Sequence, residues 1–77
     1  MVFDKLLEIF SNVIPEVDTA DITKESTLSE DLGLNSLTMM LLAVSVEDEF
    51  GIKFEEVGEL NTVEDVCNYI TDKTGEQ

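Results

Sequence analysis

The chain has 77 residues, of which 18 are acidic and four are basic, so its formal net charge is −14; histidine is absent. A domain of this size buries only about 60 % of the surface that its unfolded chain exposes. Nucleic-acid binding needs clustered basic residues, and this composition therefore excludes it. We predict one domain over residues 1–77, and an initial methionine without a flanking linker favours a free-standing protein.

Cysteine content and hydropathy bear on the cellular location. The single cysteine, Cys67, cannot form an internal disulfide, and charged residues interrupt the first apolar stretch, which argues against a signal peptide. The longest uncharged run, residues 32–46, is shorter than the roughly 20 residues that a membrane-spanning helix needs. We expect a reducing, cytoplasmic location and no membrane span.

The first half of the chain reads as one helix and one long loop. Apolar residues recur at helical spacing over residues 2–14, with polar residues between them, and Pro15 ends the pattern. No period is sustained from residue 16 to residue 33. Long loops inside compact domains usually have structure or function, so we expect this one to be ordered and packed across helix ends. Its apolar anchors would be Val17, Ile22, Leu28 and Leu32.

The second half predicts three further helices. Asn35 is a good N-cap and Gly51 a good stop for a helix over residues 36–50. A short turn of helix is expected at residues 55–59. Capping-box spacings at 61–64 and 62–65 precede a last helix over residues 63–73. No alternating run requires a sheet, so the predicted fold is an all-α four-helix bundle with a long first loop and a short third helix.

The helix over residues 36–50 carries two apolar stripes. Leu42 and Val46 belong to the stripe that should face the core, whereas Leu37, Leu41 and Val44 form a second, offset stripe. The second stripe could be covered by the short helix and the long loop. It could instead be a docking surface for a partner.

Ser36 stands at the start of this helix. Unpaired N–H groups and the helix dipole favour an anion there, so its hydroxyl is well placed to carry a phosphate ester. The chain has no histidine to act as a base, and no lysine has a spacing that indicates activation. A self-contained enzyme is therefore not expected. The residues alone leave two interpretations open: a serine modified by another enzyme, or an ordinary serine at a helix start.

Two segments carry a resemblance to a known family. Residues 31–37, Asp-Leu-Gly-Leu-Asn-Ser-Leu, and residues 47–52, Glu-Asp-Glu-Phe-Gly-Ile, resemble the acyl carrier protein signature, in which Asp-Ser-Leu opens the second helix. The similarity covers nearly the whole chain and implies a four-helix bundle that is not an enzyme. It implies 4′-phosphopantetheine on Ser36, donated from coenzyme A by a separate transferase using magnesium. The prosthetic thiol, not Cys67, would hold acyl groups as thioesters for fatty acid, polyketide or related synthesis.

The resemblance also implies two surfaces and a monomer without a metal site. Acyl-transferring and chain-extending enzymes with basic or apolar patches would dock on Leu37, Leu41, Val44, Glu47 and Asp48. An acyl chain could enter the bundle, gaining at most about 0.8 kcal/mol per buried methylene. Flexible methionines help such a core to open. The predicted pocket residues are Met39, Met40, Leu42 and Val46.

The chain departs from the family pattern around Ser36. Asn35 stands where Asp is usual, and Thr38 and Leu41 lie on a face where acids are common. These changes leave the identity of the partner enzymes open. They favour a specialised carrier, for example of D-alanine or polyketide units. A peptidyl carrier usually has Gly-Gly before its serine, which residues 34–35 do not match.

Two other classes of function have to be compared with the carrier. The alternative to a carrier is a helical adaptor that binds through Leu37, Leu41 and Val44 with Ser36 unmodified. A calcium buffer is disfavoured because the loop from Asp18 lacks the glycine and the alternating oxygen ligands of an EF-hand.

Overall fold

The computed structural model describes residues 2–54 and 60–75. This part of the chain contains three α-helices, α1 (Val2–Val13), α2 (Ser36–Phe50) and α3 (Val63–Thr74), and a short 3-10 helix (Thr19–Asp21). Its only β pairing is one isolated bridge between Thr27 and Thr62. The all-α prediction is confirmed for these residues, and the three long helices lie within one residue of their predicted bounds. The short helix predicted at residues 55–59 lies outside the described residues.

The core forms where α1 packs against α2 and α3. Each helix contributes the apolar side chains that recur on one face, because that spacing brings them to the same side of the helix. None of the described helices is long and apolar enough to cross a membrane. The largest side chains that are almost completely buried are Leu6, Phe10, Ile14, Leu42, Val46, Val63, Val66 and Ile70.

The long loop between α1 and α2 is ordered by buried side chains and by hydrogen bonds to α3. Ile22, Leu28 and Leu32 are buried, as predicted, and Val17 is half-buried. The Leu28 N–H donates to the carbonyl of Asn61 at 2.8 Å, just before α3. Two further backbone bonds, Val63 N–H to Ser26 and Glu64 N–H to Lys24, are each 3.0 Å long. The loop that leads to α2 is thus fastened to the start of α3.

Helix α3 begins with the capping box predicted at residues 62–65. The Thr62 hydroxyl accepts the Asp65 N–H at 3.2 Å, and the Asp65 carboxylate accepts the Thr62 N–H at 3.1 Å. The same carboxylate accepts the Asn61 N–H at 2.9 Å. Hydrogen bonds from the backbone of Asn61 and Thr62 lower the pKa of Asp65 below its ordinary value, because they stabilise the ionised form.

Candidate functional site

Ser36 is exposed at the first position of α2. The loop before it is fixed by the buried side chains of Leu32 and Leu34, with the exposed Gly33 between them at a φ of 67°. The Leu34 N–H also donates to the carbonyl of Leu28 at 2.9 Å. Glycine has no Cβ and therefore adopts the positive φ of Gly33 without strain. The serine therefore projects into solvent from a firmly anchored backbone.

Asn35 and Thr38 cap the helix beside this serine. The Asn35 amide oxygen accepts the Thr38 N–H at 3.0 Å, and the Thr38 hydroxyl accepts the Asn35 N–H at 2.8 Å. The predicted N-cap is confirmed. Within residues 2–54 and 60–75, no hydrogen bond engages the Ser36 hydroxyl. That oxygen can be esterified without breaking a described interaction.

The outer surface of α2 is apolar next to Ser36. Leu37 is 67 %, Met40 66 %, Leu41 49 % and Val44 62 % exposed, and we name these four residues the apolar strip. Their spacing of three and four residues places them side by side on one helical face. The long loop therefore does not cover Leu37, Leu41 and Val44, contrary to that part of the first interpretation. The short helix that was the other part of it, at residues 55–59, lies outside the described residues.

Met40 does not lie where we predicted. Leu42 and Val46 are fully buried and Met39 is half-buried, so three of the four predicted pocket residues face the interior. Met40 instead belongs to the apolar strip, because it lies three residues after Leu37 and four before Val44. The spacing from Leu37 and Val44 indicates the outer face, whereas the apolar residue type and the neighbouring Met39 indicate the core.

Glu47 and Asp48 have different surroundings. The Glu47 carboxylate accepts the Phe54 N–H at 2.9 Å, so it holds the segment after α2 against the helix end. Phe54 is buried and packs on Tyr69 of α3, with ring centroids 4.9 Å apart. Asp48 is exposed and lies one helical turn beyond Val44, at the end of the apolar strip.

The far end of α2 contains a cleft of about 390 Å³ that Lys5, Phe50 and Lys73 help to line. The Lys5 ammonium lies 5.7 Å from the centroid of the Phe50 ring. None of Met39, Leu42 and Val46 lines this cleft. Over residues 2–54 and 60–75, no group of three or more His, Cys, Asp or Glu side chains is arranged to hold a metal ion.

Comparison with known proteins finds similar sequences over most of this chain. A family model described as a phosphopantetheine attachment site matches residues 4–70. The acyl carrier protein of Thermobifida fusca is 38 % identical over 71 residues, covering 90 % of this chain and 89 % of the relative. That of Clostridium acetobutylicum is 37 % identical over 78 residues, covering 99 % and 100 %. That of Thermotoga maritima is 36 % identical over 76 residues, covering 96 % and 93 %.

Proposed function

The chain belongs to the acyl carrier protein family, and we propose that Ser36 is the residue to which its phosphopantetheine is attached. Members of this family carry acyl groups and do not catalyse their conversion. When bound, the prosthetic group supplies a flexible arm ending in a thiol, which holds the acyl group as a thioester. The chain itself has to supply an attachment point and surfaces that partner enzymes recognise.

The observation that carries this assignment is the exposed hydroxyl of Ser36 at the start of α2. A phosphodiester there is favoured by the unpaired N–H groups and the positive end of the helix dipole. The buried Leu32 and Leu34 anchor the backbone from which the arm would extend. We propose that a base on the transferase accepts the proton of the Ser36 hydroxyl, since the chain has no histidine to do so.

The interior of the bundle is the proposed shelter for an acyl chain. The proposed lining residues are Met39, Leu42 and Val46, of which Met39 is half-buried and flexible. Each methylene that moved into the interior would gain at most about 0.8 kcal/mol, before the cost of repacking. The bundle would be completed by a short helix at residues 55–59, and the carrier would act as a cytoplasmic monomer.

The partners that we propose are a phosphopantetheinyl transferase and the enzymes of acyl-chain synthesis. They would dock beside Ser36 on Leu37, Leu41 and Val44, with Asp48 as an accessible acid at the end of this surface. The departures at Asn35 and Thr38 support a specialised acyl unit, because they remove charge next to the attachment point.

Intact mass after incubation with a broad-specificity transferase, coenzyme A and magnesium tests the attachment site. The parent and a Ser29→Ala control, which changes another exposed serine, should each gain one phosphopantetheine. Ser36→Ala should gain none. A gain in Ser36→Ala would overturn the assignment. If the parent and Asn35→Asp both stay unmodified beside a competent transferase, the adaptor interpretation would replace it.

A further inference from the structure

We infer that enzymes visiting this carrier hold α2 in an uncharged groove, with positive charge only where the groove meets Asp48. The inference rests on the proposed attachment at Ser36, because it concerns enzymes that have to reach that residue. Its basis is the apolar strip, in which Met40 joins Leu37, Leu41 and Val44 at the surface.

The surface of α2 near Ser36 carries no charge. The chain has a net charge of −14, yet residues 32–46 contain no charged side chain. Asp48 lies 12 positions after Ser36, which corresponds to about 18 Å along the helix axis. On the other side of Ser36, the Asp31 carboxylate already accepts the Thr27 N–H at 2.8 Å. Glu30 is exposed in that loop, outside α2. The helical surface closest to Ser36 is therefore neutral within an acidic molecule.

The three acidic residues at the end of α2 have different contacts. Glu47 uses its carboxylate to accept the Phe54 N–H, which makes it part of the fold. Glu49 helps to line the cleft that contains Lys5 and Lys73 at the far end of the helix. Asp48 remains as the acid that continues the apolar strip. One basic contact at this end would fix the direction in which a partner lies along α2.

Desolvation determines the chemistry of the groove. A lysine or arginine placed against Met40 or Leu41 would lose water without gaining an ionic partner, and this is unfavourable. An apolar groove would instead remove four partly exposed side chains from water. The surface around Ser36 thus fits an uncharged partner better than a basic one.

A second copy of the chain is a poor occupant of the apolar strip. Its four side chains expose a few hundred square ångströms together, whereas stable complexes bury about 800 Å² per partner. Two copies would also repel each other, since each has a net charge of −14. A partner that docks briefly and leaves is consistent with both facts.

The rate of loading of Ser36 by a transferase tests the inference. For the parent, kcat/KM should vary less than about threefold between low salt and about 0.3 M NaCl, because the contact at Asp48 is the only proposed charge pair that salt would screen. Met40→Gln and Leu41→Gln should each lower kcat/KM on the order of tenfold, the equivalent of about 1.4 kcal/mol. Glutamine has nearly the helix propensity of methionine and leucine, so folding is preserved. Glu8→Gln, on the exposed side of α1, is the matched control and should have no effect.

Amide chemical shifts of the 15N-labelled protein, measured during titration with the same transferase, separate the two proposals. Shifts confined to the apolar strip without any loading would overturn the attachment at Ser36 but support the docking mode. A steep fall of the rate with salt, together with full activity of Met40→Gln and Leu41→Gln, would overturn the docking mode but leave Ser36 assigned. The absence of both loading and shifts would overturn both proposals.

Discussion

Asn35 and Thr38 hold each other across the first turn of α2 through two reciprocal hydrogen bonds, 2.8 and 3.0 Å long. An amide and a hydroxyl perform the capping that a carboxylate would also perform, but they add no charge beside Ser36. The cap thus fixes the geometry of the serine and leaves the nearby surface neutral.

Removing the capping side chain of Asn35 should destabilise the protein, whereas replacing it with a charged carboxylate should not. Asn35→Ala loses the acceptor for the Thr38 N–H and should lower the free energy of unfolding by about 1 kcal/mol. Asn35→Asp keeps an acceptor and should stay close to the parent. Urea titrations followed by circular dichroism measure both variants. An unchanged midpoint for Asn35→Ala would mean that the capping box contributes nothing in solution.

Leu42 and Met40 form a matched pair on α2 because one is fully buried and the other is 66 % exposed. Leu42→Ala leaves a cavity in the buried core and should cost about 2–5 kcal/mol of unfolding free energy. Met40→Ala should cost less than about 0.5 kcal/mol, as exposed substitutions usually do. Similar urea midpoints for the two variants would show that Met40 is packed in solution and would refute the apolar strip as we define it.

Asp65 gives the stability of the protein a component that depends on pH. Hydrogen bonds from Asn61 and Thr62 lower its pKa in the folded protein below the ordinary value of 3.8. The contribution of Asp65 to the free energy of unfolding is therefore complete above the ordinary pKa of 3.8. It is lost as the pH falls through the lower pKa that Asp65 has in the folded protein.

Asp65→Asn, whose side chain does not titrate, isolates this component. The difference in unfolding free energy between the parent and Asp65→Asn should shrink as the pH is lowered from about 6 to about 2. Asp72→Asn, at an exposed position of the same helix, serves as the control for the general loss of negative charge. A difference that stays constant over this range would contradict the role of the ionised carboxylate.

Cys67 should react slowly with alkylating agents in the folded protein. Burial raises the pKa of its thiol above the ordinary value of 9.0, with a smaller opposing effect of Lys24, so little thiolate forms at neutral pH. In the loaded carrier, iodoacetamide should first modify the prosthetic thiol and should reach Cys67 only after unfolding in urea. Peptide mass spectrometry of native and unfolded samples locates the label. Rapid native labelling of Cys67 would show that α3 opens readily.

The bounds of the three long helices could be predicted from the sequence, because the capping residues and the apolar spacing indicate the same helices there. Asn35, Gly51 and Thr62 mark helix ends by chemistry that acts over a few residues, and each is found in its predicted role. The loop anchors Ile22, Leu28 and Leu32 were also predictable, since isolated apolar residues among polar ones have to find cover.

What the sequence did not reveal depends on contacts between distant segments. The bond from the Phe54 N–H to Glu47 and the bonds that join the long loop to α3 follow from how the chain returns on itself. Met40 differs from its prediction for another reason: its residue type indicates the core, whereas its position on the helix indicates the surface. Position on the helix was decisive there.

The attachment of the long loop to α3 has a mechanical consequence. Ser26 and Leu28 are bonded to the residues that begin α3, and the same loop continues directly to Ser36. A displacement of α3 would therefore pass through these hydrogen bonds to the loop and to the backbone that positions Ser36. The attachment point and the start of α3 thus belong to one mechanical unit, although they lie on different helices.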